Sequence, residues 1–116
     1  MKRDRLLINK DMIPYNFDIL LASEVFNLTV NYNKKHDFFT IKLVKDTETL
    51  CEAEPVIYGT PLFKDIYQAG KFPAIDIIPT DPSGEETEAT YDNLGLTVFL
   101  ELDNNEAEIS QGGDSE

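Results

Sequence analysis

Residues 25–44 read VFNLTVNYNKKHDFFTIKLV, and the alternation inside this stretch decides the fold. On the first arm Phe26, Leu28, Val30 and Tyr32 alternate with Asn27, Thr29 and Asn31; on the second Phe39, Ile41 and Leu43 alternate with Thr40 and Lys42. A period of two on both arms is the mark of half-buried strands. Both apolar sets reach one core only if Tyr32 pairs with Phe39, Val30 with Ile41 and Leu28 with Leu43. A slip of one residue would turn one whole set to water. Asn33, Lys34, Lys35, His36 and Asp37 between the arms are the polar residues such a turn needs. The stretch therefore predicts a β-hairpin with one wet face.

Strand signals continue on both sides. Ile13 and Pro14 introduce an extended run over 15–21, with Phe17, Ile19 and Leu21 on one face, and Ala22, Ser23 and Glu24 turn it into the hairpin. A further turn at 45–48 leads into extended residues 49–58. Pro55 lacks a ladder donor, which makes that strand an edge or bulges it. Thr60 and Pro61 form a helix-start signal, Leu62, Phe63, Ile66 and Tyr67 share a helical face, and Gly70 stands where a C-terminal cap belongs. These predict a helix of about two turns over 61–69. An isolated helix shorter than roughly twelve residues is marginal in water, so it must dock its apolar face; an irregular loop plugging one end of the core is the alternative. Residues 72–78 return to strand, with Ile75 and Ile77 on one side. The polar segment 79–93 carries a type I turn signal at Asp81, Pro82, Ser83 and Gly84. After a turn at Asp92, Asn93, Leu94 and Gly95, a last strand places Leu96, Val98, Leu100 and Leu102 on one face. The expected fold is all-β, a small antiparallel β-barrel or sandwich of about six strands with at most one short helix (61–69). Three parts are expected: an N-terminal arm or edge strand at 1–12, a β domain at 13–102, and a disordered acidic tail at 103–116, too polar to offset its ordering entropy.

A chain of 116 residues is one domain, able to bury roughly two thirds of its unfolded surface without disulfide or metal. The single Cys51 has no internal partner and reads as an inert thiol suited to a reducing compartment. Residues 1–10 lack a hydrophobic region of signal-peptide length, and no apolar run is long enough for a membrane span. The net charge of −12 is placed unevenly: residues 1–71 hold ten basic and ten acidic side chains, whereas 72–116 hold twelve acids and no base. Clustered Lys and Arg are what phosphates and anionic lipids require, so nucleic-acid and membrane partners are not expected.

The chemistry-bearing residues do not converge. His36 is the sole histidine and lies in a turn, so with one cysteine neither a histidine nor a cysteine metal site is expected. No phosphate loop, nucleophile elbow or zinc-protease motif occurs. Asp81, Glu85, Glu86 and Glu88 could hold a hard cation, but their spacing departs from the twelve-residue calcium loop and a solvated acidic loop is the reading preferred. A carboxylate pair for glycoside hydrolysis lacks the tryptophan walls of a sugar cleft. No catalytic residue, cofactor or metal is expected.

Asn16, Phe17, Asp18 and Ile19 lead into Phe26, Leu28, Val30, Asn31, Tyr32 and Asn33, then Asp37, Phe38, Phe39, Ile41 and Leu43. This order resembles the opening of the phage baseplate plug family. The likeness continues through Leu50, then Val56, Ile57, Tyr58 and Gly59 with Leu62 after them, and through Phe72 and Pro73. It closes with Asp92, Asn93, Leu94 and Gly95 followed by Val98, Leu100 and Leu102, so it spans about residues 13–102; the segments 63–71 and 84–89 carry no motif of that family. The resemblance implies a structural virion protein, made in the bacterial host cytoplasm and mature in the tail baseplate. It also implies that the chain plugs the central region through contacts with other baseplate, hub and tail-tube proteins and performs no catalysis. Phe63, Tyr67 and Phe72 exceed what one small core needs and are the expected protein-contact residues. Two rival readings remain: an acidic DNA mimic that inhibits a DNA-binding enzyme, and a small carbohydrate- or peptide-binding module.

Overall fold

The computed structural model describes residues 4–103. Seven strands form two antiparallel sheets. In chain order they are β1 (Asp4–Leu6), β2 (Tyr15–Leu21), β3 (Glu24–Asn33), β4 (Phe38–Lys45), β5 (Glu48–Pro55), β6 (Asp76–Thr80) and β7 (Phe99–Asp103). The larger sheet runs β2-β3-β4-β5, each strand beside its sequence neighbour; the smaller runs β1-β7-β6. The sheets do not close on each other. The barrel alternative is therefore corrected to a sandwich-like pair of layers, with seven strands in place of about six.

The hairpin has the register its sequence demands: Tyr32 faces Phe39, Val30 faces Ile41 and Leu28 faces Leu43. Leu28, Val30, Phe39, Ile41 and Leu43 are fully buried. Ala22 and Ser23, with φ of 51° and 70°, make the two-residue turn that joins β2 to β3. β5 is an edge strand; its register against β4 shifts on either side of Leu43, and Pro55 ends it. The smaller sheet contributes Leu6, Ile77 and Leu100 to the same core, and Val56, Leu62, Phe63, Phe72, Ala89, Leu94 and Val98 enter it from connecting segments.

Several expected elements differ: the strand expected over 72–78 is β6, Asp76–Thr80, and the extended run expected over 49–58 ends at Pro55. The helix over 61–69 is replaced by a single 3-10 turn, Lys64–Ile66. Phe63, before it, has a φ of 65°, in the left-handed region that a right-handed helix cannot use, and Tyr67 after it is already extended. That backbone turns the Phe63 ring into the core, where it is 3% exposed. The last strand begins at Phe99 instead of Leu96. The Asn93 carbonyl accepts the N–H groups of Leu96, Thr97 and Val98, each at 3.0 Å, and this knot leaves Leu96 in water. Asp103 belongs to β7, whereas the rest of the acidic tail expected over 103–116 lies outside the described residues.

Candidate protein-contact site

The segment between β5 and β6 is strapped to both sheets. Gly59, at φ +77°, donates its N–H to the Pro79 carbonyl at 2.7 Å, and Leu62 donates to the Ile77 carbonyl at 2.9 Å. These bonds extend the smaller sheet past β6 without a formal strand. From the other side, the Glu54 carboxylate on β5 accepts the Phe63 N–H at 2.7 Å. Ile66 donates back to the Phe63 carbonyl, and Lys71 and Phe72 both donate to the Gln68 carbonyl, folding the segment into two consecutive turns.

That folding gathers the three residues singled out from the sequence. The Phe63 and Phe72 ring centroids are 5.9 Å apart at 51°, and those of Tyr67 and Phe72 are 6.2 Å apart at 46°, tilted geometries that aromatic pairs favour. Their exposures differ sharply: Phe63 is 3% and Phe72 5% exposed, whereas Tyr67 is 48% exposed. Two rings thus belong to the core and one stands over them at the surface. An open groove of about 620 Å³ runs along this corner, with Pro61, Leu62, Phe72, Pro73 and Ile75 among its walls and Lys64 at its rim. Nearby, Lys45 pairs with Glu24 and reaches the Gly70 carbonyl, while Lys71 pairs with Glu48 at 3.1 Å.

A second aromatic cluster, unmarked in the sequence, sits at the hairpin tip. Tyr32 lies 4.9 Å from Phe39 and 5.0 Å from Tyr91, and Phe39 and Tyr91 stack at 6.0 Å. Asp37 ties the group together, accepting the Tyr32 hydroxyl at 2.6 Å and the Tyr91 N–H at 3.0 Å. Those two bonds hold the Asp37 carboxyl below the usual carboxylate range. Reciprocally, the bond to Asp37 pushes the Tyr32 hydroxyl up to about 12. Lys10 covers the far side, with its ammonium 4.8 Å from the Tyr91 ring centroid. The alternation paired Tyr32 with Phe39 and the turn held Asp37, but Tyr91, which completes the group, lies 54 positions beyond Asp37.

The groups considered for chemistry are dispersed. His36 is exposed in the hairpin turn. Burial pushes the half-buried Cys51 thiol up, away from a reactive thiolate. The Asp81 carboxylate faces its own loop, accepting from the Ser83 N–H and hydroxyl and from the N–H groups of Glu85 and Glu86, at 2.8 to 3.1 Å. Burial would raise its pKa, but these donors outweigh burial and hold it below the ordinary range. A carboxylate so saturated with N–H groups organises a loop and is not disposed towards a cation. Among the described residues, no three His, Cys, Asp or Glu side chains are grouped to hold a metal ion. Among the described residues, no helix is long and apolar enough to cross a membrane.

Fold and site together define a small β-sandwich-like module with an apolar groove at one corner and an aromatic cluster at the hairpin tip. The family model described as cyanophage baseplate Pam3 plug gp18 matches residues 3–105, and the chain belongs to that family of phage baseplate plugs. It is a structural baseplate protein by that membership. No curated protein and no solved structure matches the chain.

Proposed function

We propose that this protein plugs the central hub and tube region of a phage tail baseplate through contacts with hub, tail-tube and other baseplate proteins. Tyr67 forms part of that contact, braced from the core by Phe72, which in turn packs on Phe63. The observation that carries the reading is the match to the plug family over nearly the whole chain. The corner has the build of an interface anchor: a half-exposed tyrosine braced on a buried phenylalanine beside an apolar groove. Phe63 adds a second mark, since a bulky residue in the left-handed region costs about 1–3 kcal/mol and such strain clusters at working surfaces. The role is non-catalytic and needs no cofactor; the chain is made in the host cytoplasm and comes to rest in the virion baseplate.

Co-expression with phage hub and tail-tube proteins, followed by co-purification, tests the reading. The native chain is expected to carry at least one of them through purification. Tyr67→Ala is expected to lose that capture with its thermal unfolding unchanged. Undiminished capture by Tyr67→Ala would remove the corner from the contact, and no capture by the native chain would remove the role.

A further inference from the structure

The two sheets present four edges, and three of them are guarded. β1 is three residues long. β6 carries Pro79 and is covered by the bonds from Gly59 and Leu62. β5 is bulged against β4, ends in Pro55 and bears Glu48, Glu52 and Glu54. β2 has none of these devices. It runs seven residues in unbroken register with β3, contains no proline, and holds one charge, Asp18. An unprotected edge of that length is a template for another strand.

The hairpin geometry fixes which groups it offers. The two-residue turn at Ala22 and Ser23 makes Leu21 and Glu24 a hydrogen-bonded pair, and such pairs alternate along the ladder. The N–H and C=O groups of Asn16, Asp18 and Leu20 therefore point away from β3. Among the described residues, no backbone bond from outside the sheet reaches them. Tyr15, Phe17 and Ile19 face inward but are only half-buried at this edge of the sheet.

We propose that β2 pairs antiparallel with β2 of a second copy of this chain, about a two-fold axis at Phe17, giving a continuous eight-stranded sheet. Electrostatic complementarity selects the register. Centring on Asp18 would set two carboxylates face to face, which is destabilising, and centring on Ile19 would oppose Asp18 with Leu20. Centring on Phe17 instead sets Asn16 of each copy against Asp18 of the other, an amide beside a carboxylate. On the inner face Phe17 meets its own counterpart, and Tyr15 meets Ile19. On the outer face Leu20, which is 66% exposed, covers the exposed Pro14 of the other copy. Pro14 can accept the Leu20 N–H there but returns no N–H to the Leu20 carbonyl, so this pair ends the ladder on each side. The edge lies in the electrically balanced part of the chain, residues 1–71, so the repulsion between copies comes from the acidic remainder and is screened by salt. The Tyr67 corner is at the opposite, β5 side of the larger sheet, so pairing leaves it open and does not depend on its function.

Sedimentation equilibrium of the full chain is expected to show a monomer–dimer equilibrium that tightens as salt rises. Asp18→Pro removes an outward N–H and, of the bonds to β3, only the exposed one from the Asn27 side-chain amide to the Asp18 carboxylate; it is expected to weaken the dimer at least tenfold, while Tyr67→Ala leaves it unchanged. Register is tested in a Cys51→Ser background with two exposed positions. Facing residues of a hydrogen-bonded pair have Cα atoms about 5.5 Å apart, within disulfide reach. An equal mixture of Asn16→Cys and Asp18→Cys chains should cross-link on mild oxidation, and Asn16→Cys alone should not. A monomer at the highest soluble concentration, or cross-linking of Asn16→Cys alone as readily as of the mixture, would overturn the proposal.

Discussion

The carboxylate of Glu54, one residue before the Pro55 that ends β5, accepts the backbone N–H of Phe63 at 2.7 Å. One side chain on a sheet edge thereby holds the left-handed residue that aims an aromatic ring into the core. Removing the acceptor leaves a part-buried donor unsatisfied, at a cost of about 1–3 kcal/mol. Glu54→Ala is expected to lower stability in urea by that amount and to speed hydrogen exchange at the Phe63 amide. Glu54→Gln, which keeps an acceptor oxygen, should recover most of the loss.

Phe63 and Tyr67 touch the same phenylalanine but stand on opposite sides of the solvent boundary. Truncating a buried phenylalanine costs about 3–5 kcal/mol, so Phe63→Ala should unfold at markedly lower denaturant. Tyr67 is 48% exposed, and surface changes of its kind fall within about 0.5 kcal/mol. Chemical denaturation of the two variants separates core from contact.

Leu28 and Leu43 face each other across the hairpin, both fully buried. Each change to Ala is expected to cost about 2–5 kcal/mol. Because the two side chains share one cavity, the double variant should depart from the sum of the singles by about 0.5–3 kcal/mol. A double-mutant cycle in urea reads that coupling directly.

Asp37 and Asp81 both titrate below the ordinary carboxylate range when folded. Their stabilising contribution is therefore complete above the unfolded pKa, near 4, and is lost as pH falls through the lower folded value. Denaturation midpoints should fall as the solution is acidified below about pH 4, and less steeply in Asp37→Asn and Asp81→Asn.

Tyr32 shifts the other way. Its hydroxyl, pushed up to about 12 by the bond to Asp37, contributes stability that is complete below the unfolded value near 10 and is lost between there and its folded value. Phenolate absorbance is expected to show the Tyr32 hydroxyl titrating late, and Asp37→Asn should lower its pKa.

The larger sheet was legible because it is built from neighbours in sequence. Alternation on two arms left one register, and the run from Tyr15 to Leu21 is β2 residue for residue. What the sequence hid depends on distant partners. Phe63 and Ile66 do lie at helical spacing, but the Ile77 carbonyl claims the N–H of Leu62 and the Glu54 carboxylate that of Phe63, where a helix would have to start. Leu96 continues the alternation of Val98 and Leu100, yet the Asn93 carbonyl draws the chain into a knot there. At the contact corner, composition pointed to the aromatic trio but not to its division into two buried rings and one exposed one. The Tyr32–Tyr91 cluster joins a hairpin tip to a loop more than fifty residues away, and no periodicity carries that information.

β1 and β7 pair Arg5 with Glu101 across the full span of the chain, whereas β2 to β5 need only one continuous stretch. On the ribosome, the four-strand layer can therefore assemble as a succession of local closures while the first strand waits for a mate that is translated last. The second layer completes only when β7 has been made, so a product truncated before Phe99 displays half a core.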